Sequence, residues 1–212
     1  MRVAAIRTED ITVRQWELLY QQLSETRRRR ADGIRSLERH RESIAAGALL
    51  ESLLRQQGVP EPFSYRASSR GKPYLDGKGA ETRLAVHFSI THTKGLAAVA
   101  VGEMPVGVDA ERIRPYPVKV AERYFSAAER TDLARGDDAA FYRVWTGKEA
   151  LAKLIDIPLL EVLRQPEAET ENIRRHTWQI EDWIITLCEE EGEMSGEEET
   201  CIELLTAGEL LL

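Results

Sequence analysis

Residues 84–111 read LAVHFSITHTKGLAAVAVGEMPVGVDAE, and this stretch decides the fold. Apolar residues alternate with small or polar ones over 84–91, which predicts a strand with one apolar face. The apolar run 96–101 predicts a second strand, and the polar residues 91–95 between them predict a hairpin with a five-residue loop. A third strand is expected over 106–111. The sequence therefore predicts a two-stranded antiparallel sheet, followed by a third strand, at the centre of the chain.

Helical patterns and further short strands flank this sheet on both sides. Ser126 followed by Glu129 forms a capping box, which is typical of a helix start. The other predicted elements are an edge strand over 1–6, helices over 10–23, 34–54 and 141–155, and strands over 183–188 and 201–205. Because helical segments lead into strands twice, the sequence predicts an α+β protein with two similar halves, 1–105 and 106–212.

Composition places the chain among ordinary globular proteins, since 42% of its 212 residues are hydrophobic and 31% are charged. Its net charge of −7 is uneven, because residues 181–212 hold eleven acids and no Lys or Arg. The longest apolar run has six residues, far short of the about 20 that cross a membrane. Two cysteines are too few for a disulfide framework. We therefore expect a cytoplasmic protein with neither membrane nor nucleic acid as a partner.

The segment Gly107-Val108-Asp109-Ala110-Glu111 carries a pair of carboxylates. On a strand, Asp109 and Glu111 point to the same side while Val108 and Ala110 point to the core. Two carboxylates on one face repel each other unless a cation lies between them, and a hard divalent ion such as Mg²⁺ or Mn²⁺ suits oxygen ligands. The alternative is a solvated strand face, and the spacing leaves both open.

A second carboxylate position lies on the predicted helix 141–155. Glu149 and Lys153 are neighbours at i,i+4, and Trp145 shares the face of Glu149. One interpretation is an exposed salt bridge with little effect on stability. In the other, apolar surroundings raise the pKa of Glu149 and suit it to general-base catalysis.

Three polar or basic segments are candidates for phosphate binding. Hydroxyls, an imidazole and turn amides come together at 89–94, and Lys72 lies directly before a proline. The third is the arginine run 27–30, which could contact the phosphates of nucleic acid. Each segment also fits an ordinary solvated loop or helix face.

Five motifs follow one another in order along the chain: Gly71-Lys72-Pro73, Phe88-Ser89-Ile90-Thr91-His92-Thr93, Gly107-Val108-Asp109-Ala110-Glu111, Phe125-Ser126-x-x-Glu129 and Trp145-x-x-Lys148-Glu149-x-x-x-Lys153. Together they resemble the 4′-phosphopantetheinyl transferase superfamily, specifically its surfactin-synthetase-activating (Sfp-type) branch. The resemblance covers about residues 70–155. It implies a monomer with the pseudo-twofold fold of that family and an active site in the cleft between two α+β halves.

The resemblance also implies a reaction and the residues that perform it. Such enzymes transfer 4′-phosphopantetheine from coenzyme A to a serine of an apo acyl or peptidyl carrier protein, and release adenosine 3′,5′-bisphosphate. Glu149 would act as the base and Lys153 would stabilise the pyrophosphate. Mg²⁺, or Mn²⁺, would be held by Asp109, Glu111 and Glu149. The coenzyme A contacts would be Arg28, Arg41, Lys72, Thr91 and His92.

The chain departs from the family pattern at two places and leaves other functions open. Where some members have a basic residue just before the glycine of the long helix, this chain has Ser43, with Arg41 two positions earlier. Its hairpin reads S-I-T-H-T where the family more often has N-[IL]-S-H-S, so Thr91 and Thr93 keep the hydroxyls and add methyl groups. The alternatives are a non-catalytic module that binds coenzyme A or a carrier domain, a metal-dependent phosphohydrolase, and a nucleic-acid binder using residues 27–41. An acidic carrier would need a local basic or apolar patch on this acidic chain, and residues 112–128 are the candidate docking segment.

Overall fold

The protein is described from a computed structural model, which covers residues 1–76, 86–164, 172–191 and 200–212. In chain order the strands are β1 (Arg2–Arg7), β2 (Tyr65–Ala67), β3 (Pro73–Leu75), β4 (His87–Thr93), β5 (Leu96–Gly102), β6 (Val106–Arg112), β7 (Ile173–Ile180), β8 (Trp183–Glu190) and β9 (Ile202–Leu205). The helices are α1 (Val13–Gln22), α2 (Glu25–Asp32), α3 (Leu37–Gln56), α4 (Val118–Tyr124), α5 (Ala127–Arg135), α6 (Asp138–Leu154), α7 (Leu159–Arg164) and α8 (Ala207–Leu210). The prediction of an α+β protein is confirmed.

The first sheet has the strand order β4-β5-β1-β9. Ala4 and Ile6 of β1 face a core shared with α1 and α3, whereas Val3 and Ala5 face the second sheet. The strand over 1–6 was predicted at a sheet edge, and this is wrong. It lies between β5 and β9 because both of its faces are buried and both of its edges are paired.

The second sheet has the order β6-β8-β7, and the long helix α6 packs across β6 and β8. Gly107 permits this close packing. A Cβ atom at Gly107 would lie 2.0 Å from the carbonyl oxygen of Ala150 and 2.6 Å from the amide nitrogen of Leu154. The glycine of the G-V-D-A-E motif therefore brings α6 directly against the strand that carries Asp109.

The hairpin is tighter than the sequence predicted. β4 extends to Thr93 and β5 begins at Leu96, so the turn is two residues rather than five. Gly95 makes this possible with a φ of 87°, a backbone conformation that residues with a side chain rarely adopt. The first two residues of the strand predicted over 84–91 lie outside the described residues.

The chain crosses between the two sheets twice. It passes from the first sheet to the second between β5 and β6, at the boundary predicted between residues 105 and 106. It then returns, because β9 pairs in parallel with β1, and α8 packs on the core of the first sheet. The division into 1–105 and 106–212 stays a prediction, and the C-terminal residues 202–210 pack with the N-terminal part. Within the described ranges, no helix has both the length and the apolar character needed to cross a membrane.

Candidate active site

Two sheet edges face each other at the centre of the molecule. β4 is an edge strand of the first sheet and β6 is an edge strand of the second. Polar side chains of β4 bridge the gap, in contacts of 3.0, 3.0 and 3.4 Å: Val108 N donates to Ser89 Oγ, Thr91 Oγ1 donates to Asp109 Oδ1, and Thr93 Oγ1 donates to Glu111 Oε2. The two predicted metal ligands of β6 therefore each contact a hydroxyl from the other half.

Asp109 is almost completely buried, with 3% of its surface exposed. Lys153 Nζ of α6 lies 2.7 Å from Asp109 Oδ1 and also donates to the carbonyl oxygen of Val108 at 3.0 Å. The other carboxylate oxygen, Asp109 Oδ2, is buried and accepts no hydrogen bond from the described residues. The Lys153 ammonium thus neutralises Oδ1, whereas Oδ2 has no hydrogen-bond donor among the described residues.

Glu149 and Glu111 share the electrostatic field of Asp109. Burial raises the pKa of Glu149 to about 7, and the neighbouring Asp109 carboxylate adds to the shift while Lys153 opposes it. A protonated Glu149 also has a hydrogen-bond partner in Asp109. Burial and then Asp109 likewise raise the pKa of Glu111. The charge of Asp109 therefore disfavours the ionisation of both glutamates.

These residues fit a hard divalent cation. The orphaned oxygen of Asp109 and the raised pKa values of the two glutamates mark a surplus of buried carboxylate, which a divalent cation with oxygen ligands would relieve. In the described part of the chain, no three His, Cys, Asp or Glu side chains are already closed into a metal cluster. The three carboxylates would therefore have to move towards one another to share an ion.

A cleft of about 550 Å³ opens beside Glu149 and Lys153. It is lined from both sides of the predicted boundary, by residues of the loop before β3, of β4, of α6 and of the segment after it. These are Arg70, Gly71, Lys72, Pro73, Phe88, Ser89, Ile90, Glu149, Ala152, Lys153, Asp156, Ile157, Pro158 and Leu159. The G-K-P motif thus lies on the same cavity as Glu149 and Lys153, whereas Asp109, Glu111, Thr91 and His92 are not among its lining residues.

Lys72 lines this cleft, but its ammonium already has partners. Nζ donates to the carbonyl oxygens of Val106 at 3.3 Å and Leu154 at 3.2 Å, and burial lowers its pKa. In this arrangement Lys72 ties the loop before β3 to β6 and α6. Its predicted contact with a coenzyme A phosphate stays a prediction; an ammonium has three hydrogens to donate, and the two carbonyls leave one of them for such a contact.

His92 lies at the other end of β4 with an acidic partner. Its Nδ1 is 3.3 Å from Oε2 of the buried Glu42 on α3. Burial lowers the pKa of His92, and the positive charges of Lys153, Arg30 and Arg39 lower it further. The imidazole is therefore held in a positive field that suits the binding of an anion.

The arginines around His92 differ from those that the sequence suggested. Arg30 and Arg39 act on its pKa, whereas Arg41 lies over the Trp16 ring at 5.7 Å. Among the described contacts, neither Arg28 nor Arg41 lines the cleft or acts on His92. Sequence analysis missed Arg39, although its i,i+3 spacing to Glu42 places both on one face of α3.

Comparison with known proteins supports one family. Residues 105–194, which include β6 and α6, match the profile of the 4′-phosphopantetheinyl transferase superfamily. The 4′-phosphopantetheinyl transferase psf-1 of Bacillus pumilus is 31% identical over 147 residues, covering 66% of this chain and 61% of the relative. The gsp protein of Aneurinibacillus migulanus is 30% identical over 108 residues, 49% and 43% of the two chains. Sfp of Bacillus subtilis (strain 168) is 27% identical over 117 residues, 52% and 50%. This chain spans about half the length of the curated relatives it matches.

Proposed function

The chain belongs to the 4′-phosphopantetheinyl transferase superfamily, in its Sfp-type branch, and on that basis we propose that it transfers 4′-phosphopantetheine from coenzyme A to a serine of an apo carrier protein. The observation that carries this proposal is the meeting of Asp109, Glu149 and Lys153, of which Glu149 and Lys153 line a two-sided cleft. A module that only bound coenzyme A would have no need for buried carboxylates beside a lysine.

The metal of the proposed reaction is Mg²⁺, with Mn²⁺ as a substitute. Asp109, Glu111 and Glu149 would hold it, since their oxygens are hard ligands in surplus. When bound, the ion neutralises charge on the pyrophosphate of coenzyme A. His92 and the two arginines that act on its pKa, Arg30 and Arg39, are the proposed contacts for the phosphates of coenzyme A.

Two residues of α6 perform the proposed proton and charge chemistry. Glu149 takes the proton of the carrier serine, directly or through water, and a carboxyl with a pKa of about 7 suits that role near neutral pH. The serine oxygen then bonds to the phosphorus on the pantetheine side. The bond from that phosphorus to the bridging oxygen breaks, and its electron pair leaves with adenosine 3′,5′-bisphosphate. Lys153 stabilises the charge that develops on the departing phosphate.

We place the carrier on the segment 112–128, which borders the site. The segment carries four basic residues and one acidic residue, against a net charge of −7 for the whole chain. Val118 of α4 is 54% exposed, so an apolar contact lies beside the positive charges. Arg114, which donates to Tyr142 Oη at 3.3 Å, is held near Glu111. Such a surface suits an acidic carrier.

In this proposal the protein works as a monomer in the cytoplasm. Both halves of the cleft come from one chain, so no second copy is needed to complete it. Cys188 and Cys201 are both free thiols, which fits a reducing compartment.

Intact-protein mass spectrometry tests the proposal. The chain is mixed with coenzyme A, Mg²⁺ and a set of apo carrier domains, and each carrier is weighed. We expect a gain of one phosphopantetheine that EDTA abolishes, and a carrier with its serine replaced by alanine as the unmodified control. Unmodified carriers with coenzyme A still bound would favour a binding module. Cleavage of coenzyme A without carrier modification would favour a phosphohydrolase.

A further inference from the structure

We propose that Thr91 and Thr93 are positioning residues of the metal site, whose hydroxyls orient the carboxylates of Asp109 and Glu111, and that they do not contact the phosphates of coenzyme A. This inference rests on the metal-dependent transfer proposed above. It assigns Thr91 a different task from the phosphate contact that the family resemblance implies.

The register of the two facing strands supports this assignment. Thr91 contacts Asp109 and Thr93 contacts Glu111, and each pair is 18 residues apart in the chain. A constant separation means that β4 and β6 run side by side in the same direction. Because side chains on a strand alternate, the two hydroxyls and the two carboxylates all lie along one seam.

Hydroxyl chemistry limits what Thr91 can do at the same time. A threonine hydroxyl has one hydrogen to donate, and Thr91 Oγ1 donates it to Asp109 Oδ1 over an oxygen–oxygen distance of 3.0 Å. Thr91 is also buried, with 6% of its surface exposed. A phosphate oxygen is an acceptor, so it would need the hydrogen that the carboxylate already receives.

The contact also decides which oxygen of Asp109 stays free. Oδ1 receives both Thr91 and Lys153, whereas Oδ2 accepts nothing from the described residues as long as the neighbouring Glu149 is ionised. Two donors on one oxygen fix the rotation of the carboxylate, so Oδ2 is held ready for a ligand. Threonine suits this task better than serine, because its branched Cβ restricts the side-chain rotamer.

Substituting each hydroxyl by a methyl group of the same shape tests the inference. Mn²⁺ binding is measured by electron paramagnetic resonance in the presence of coenzyme A and without a carrier, so that no turnover is needed. We expect Thr91→Val to weaken Mn²⁺ binding about tenfold and Thr93→Val, whose contact is longer, by about threefold. Thr91→Ser keeps the hydroxyl and should bind Mn²⁺ within about twofold of wild type.

Kinetic measurements distinguish a positioning role of Thr91 from a contact with a phosphate of coenzyme A. Raised Mg²⁺ should recover transfer by Thr91→Val, and the KM for coenzyme A should stay within about twofold of wild type. The control is Thr131→Val, which removes a hydroxyl that contacts only the helix carbonyl of Ala127. Thermal melts show which variants fold, and Thr93→Val carries the test if Thr91→Val does not.

Two results would overturn the inference, and they are distinguishable. Unchanged Mn²⁺ affinity with a raised KM for coenzyme A in Thr91→Val would make Thr91 a phosphate contact and leave the proposed function intact. If the unaltered chain bound no Mn²⁺ beside coenzyme A, the metal assignment of the proposed function would fail, and this inference with it.

Discussion

The candidate site has an acidic side, formed by Asp109, Glu111, Glu149 and Lys153, and a basic side, formed by Lys72, His92, Arg28, Arg30, Arg39 and Arg41. The two sides are built in different ways. On the acidic side, Asp109 and Lys153 lie on a buried strand and a long helix, and they contact each other at 2.7 Å. On the basic side, Arg41 packs on Trp16, and Lys72 is bonded to backbone carbonyls. The Asp109–Lys153 pair is therefore fixed by a direct contact between two residues of the site, whereas Lys72 and Arg41 are held by groups outside it.

This difference has a consequence for how each side tolerates change. A buried carboxylate with fixed neighbours has no substitute nearby, so its loss removes the metal ligand completely. Several cations surround His92, among them Arg30, Arg39 and Lys153. We therefore expect single substitutions to abolish activity on the acidic side and to weaken coenzyme A binding on the basic side.

Asp109→Ala should have the largest effect. Removing a buried metal ligand that no other residue replaces is expected to lower transfer at least about a thousandfold. The fold should persist, because the change also removes repulsion from Glu111 and Glu149 and lets the partly exposed Lys153 turn to water. Carrier modification and a thermal melt measure the two effects. Activity near that of wild type would show that Asp109 holds no metal; Glu17→Ala, on the exposed face of α1, is the control.

Glu149→Gln should have the second-largest effect. The change keeps the size of the side chain and removes both the base and one anionic ligand, so we expect a loss of about 10²- to 10⁴-fold in kcat. Thermal stability should not fall, since one of three mutually repelling carboxylates is neutralised. A rate within a few-fold of wild type, measured by single-turnover transfer, would assign the base to another group.

The acidic side was readable from the sequence because regular elements fix the direction of side chains. Alternation on β6 placed Asp109 and Glu111 on one face, and helical spacing placed Glu149 one turn before Lys153. The capping box at Ser126 and Glu129 was predicted from the same kind of local rule and is confirmed. Local geometry is enough wherever both partners lie on one element.

The basic side was less readable because its contacts depend on how separate elements pack. Nothing in the sequence near Arg41 indicates Trp16, which lies on another helix. The partners of Lys72 are carbonyls 34 and 82 residues further along the chain. The central position of β1 was missed for the same reason, since its pairing with β9 joins the two ends of the chain.

Gly107→Ala tests whether packing fixes the acidic side. A methyl group there would meet the backbone of α6, which has to move, so we expect a loss of about 1–3 kcal/mol in unfolding free energy together with reduced transfer. Gly147→Ala is the matched control. Its added Cβ meets only the guanidinium end of Arg175 at 3.3 Å, and alanine favours a helix, so stability should stay within about 1 kcal/mol of wild type. Equal effects in chemical denaturation would mean that the close approach at Gly107 is not required.

Single substitutions of four arginines, compared as two pairs, should give the smallest effects, and they test the basic side. Arg30→Gln and Arg39→Gln remove charges that act on His92, so we expect each to raise the KM for coenzyme A about tenfold with kcat unchanged. Arg28→Gln and Arg41→Gln should raise it by about threefold or less. Added salt should shrink the first pair of effects, because these charges are partly exposed to solvent. The opposite ranking would mean that Arg41 leaves Trp16 when coenzyme A binds, and that the basic side takes its working form only with the ligand present.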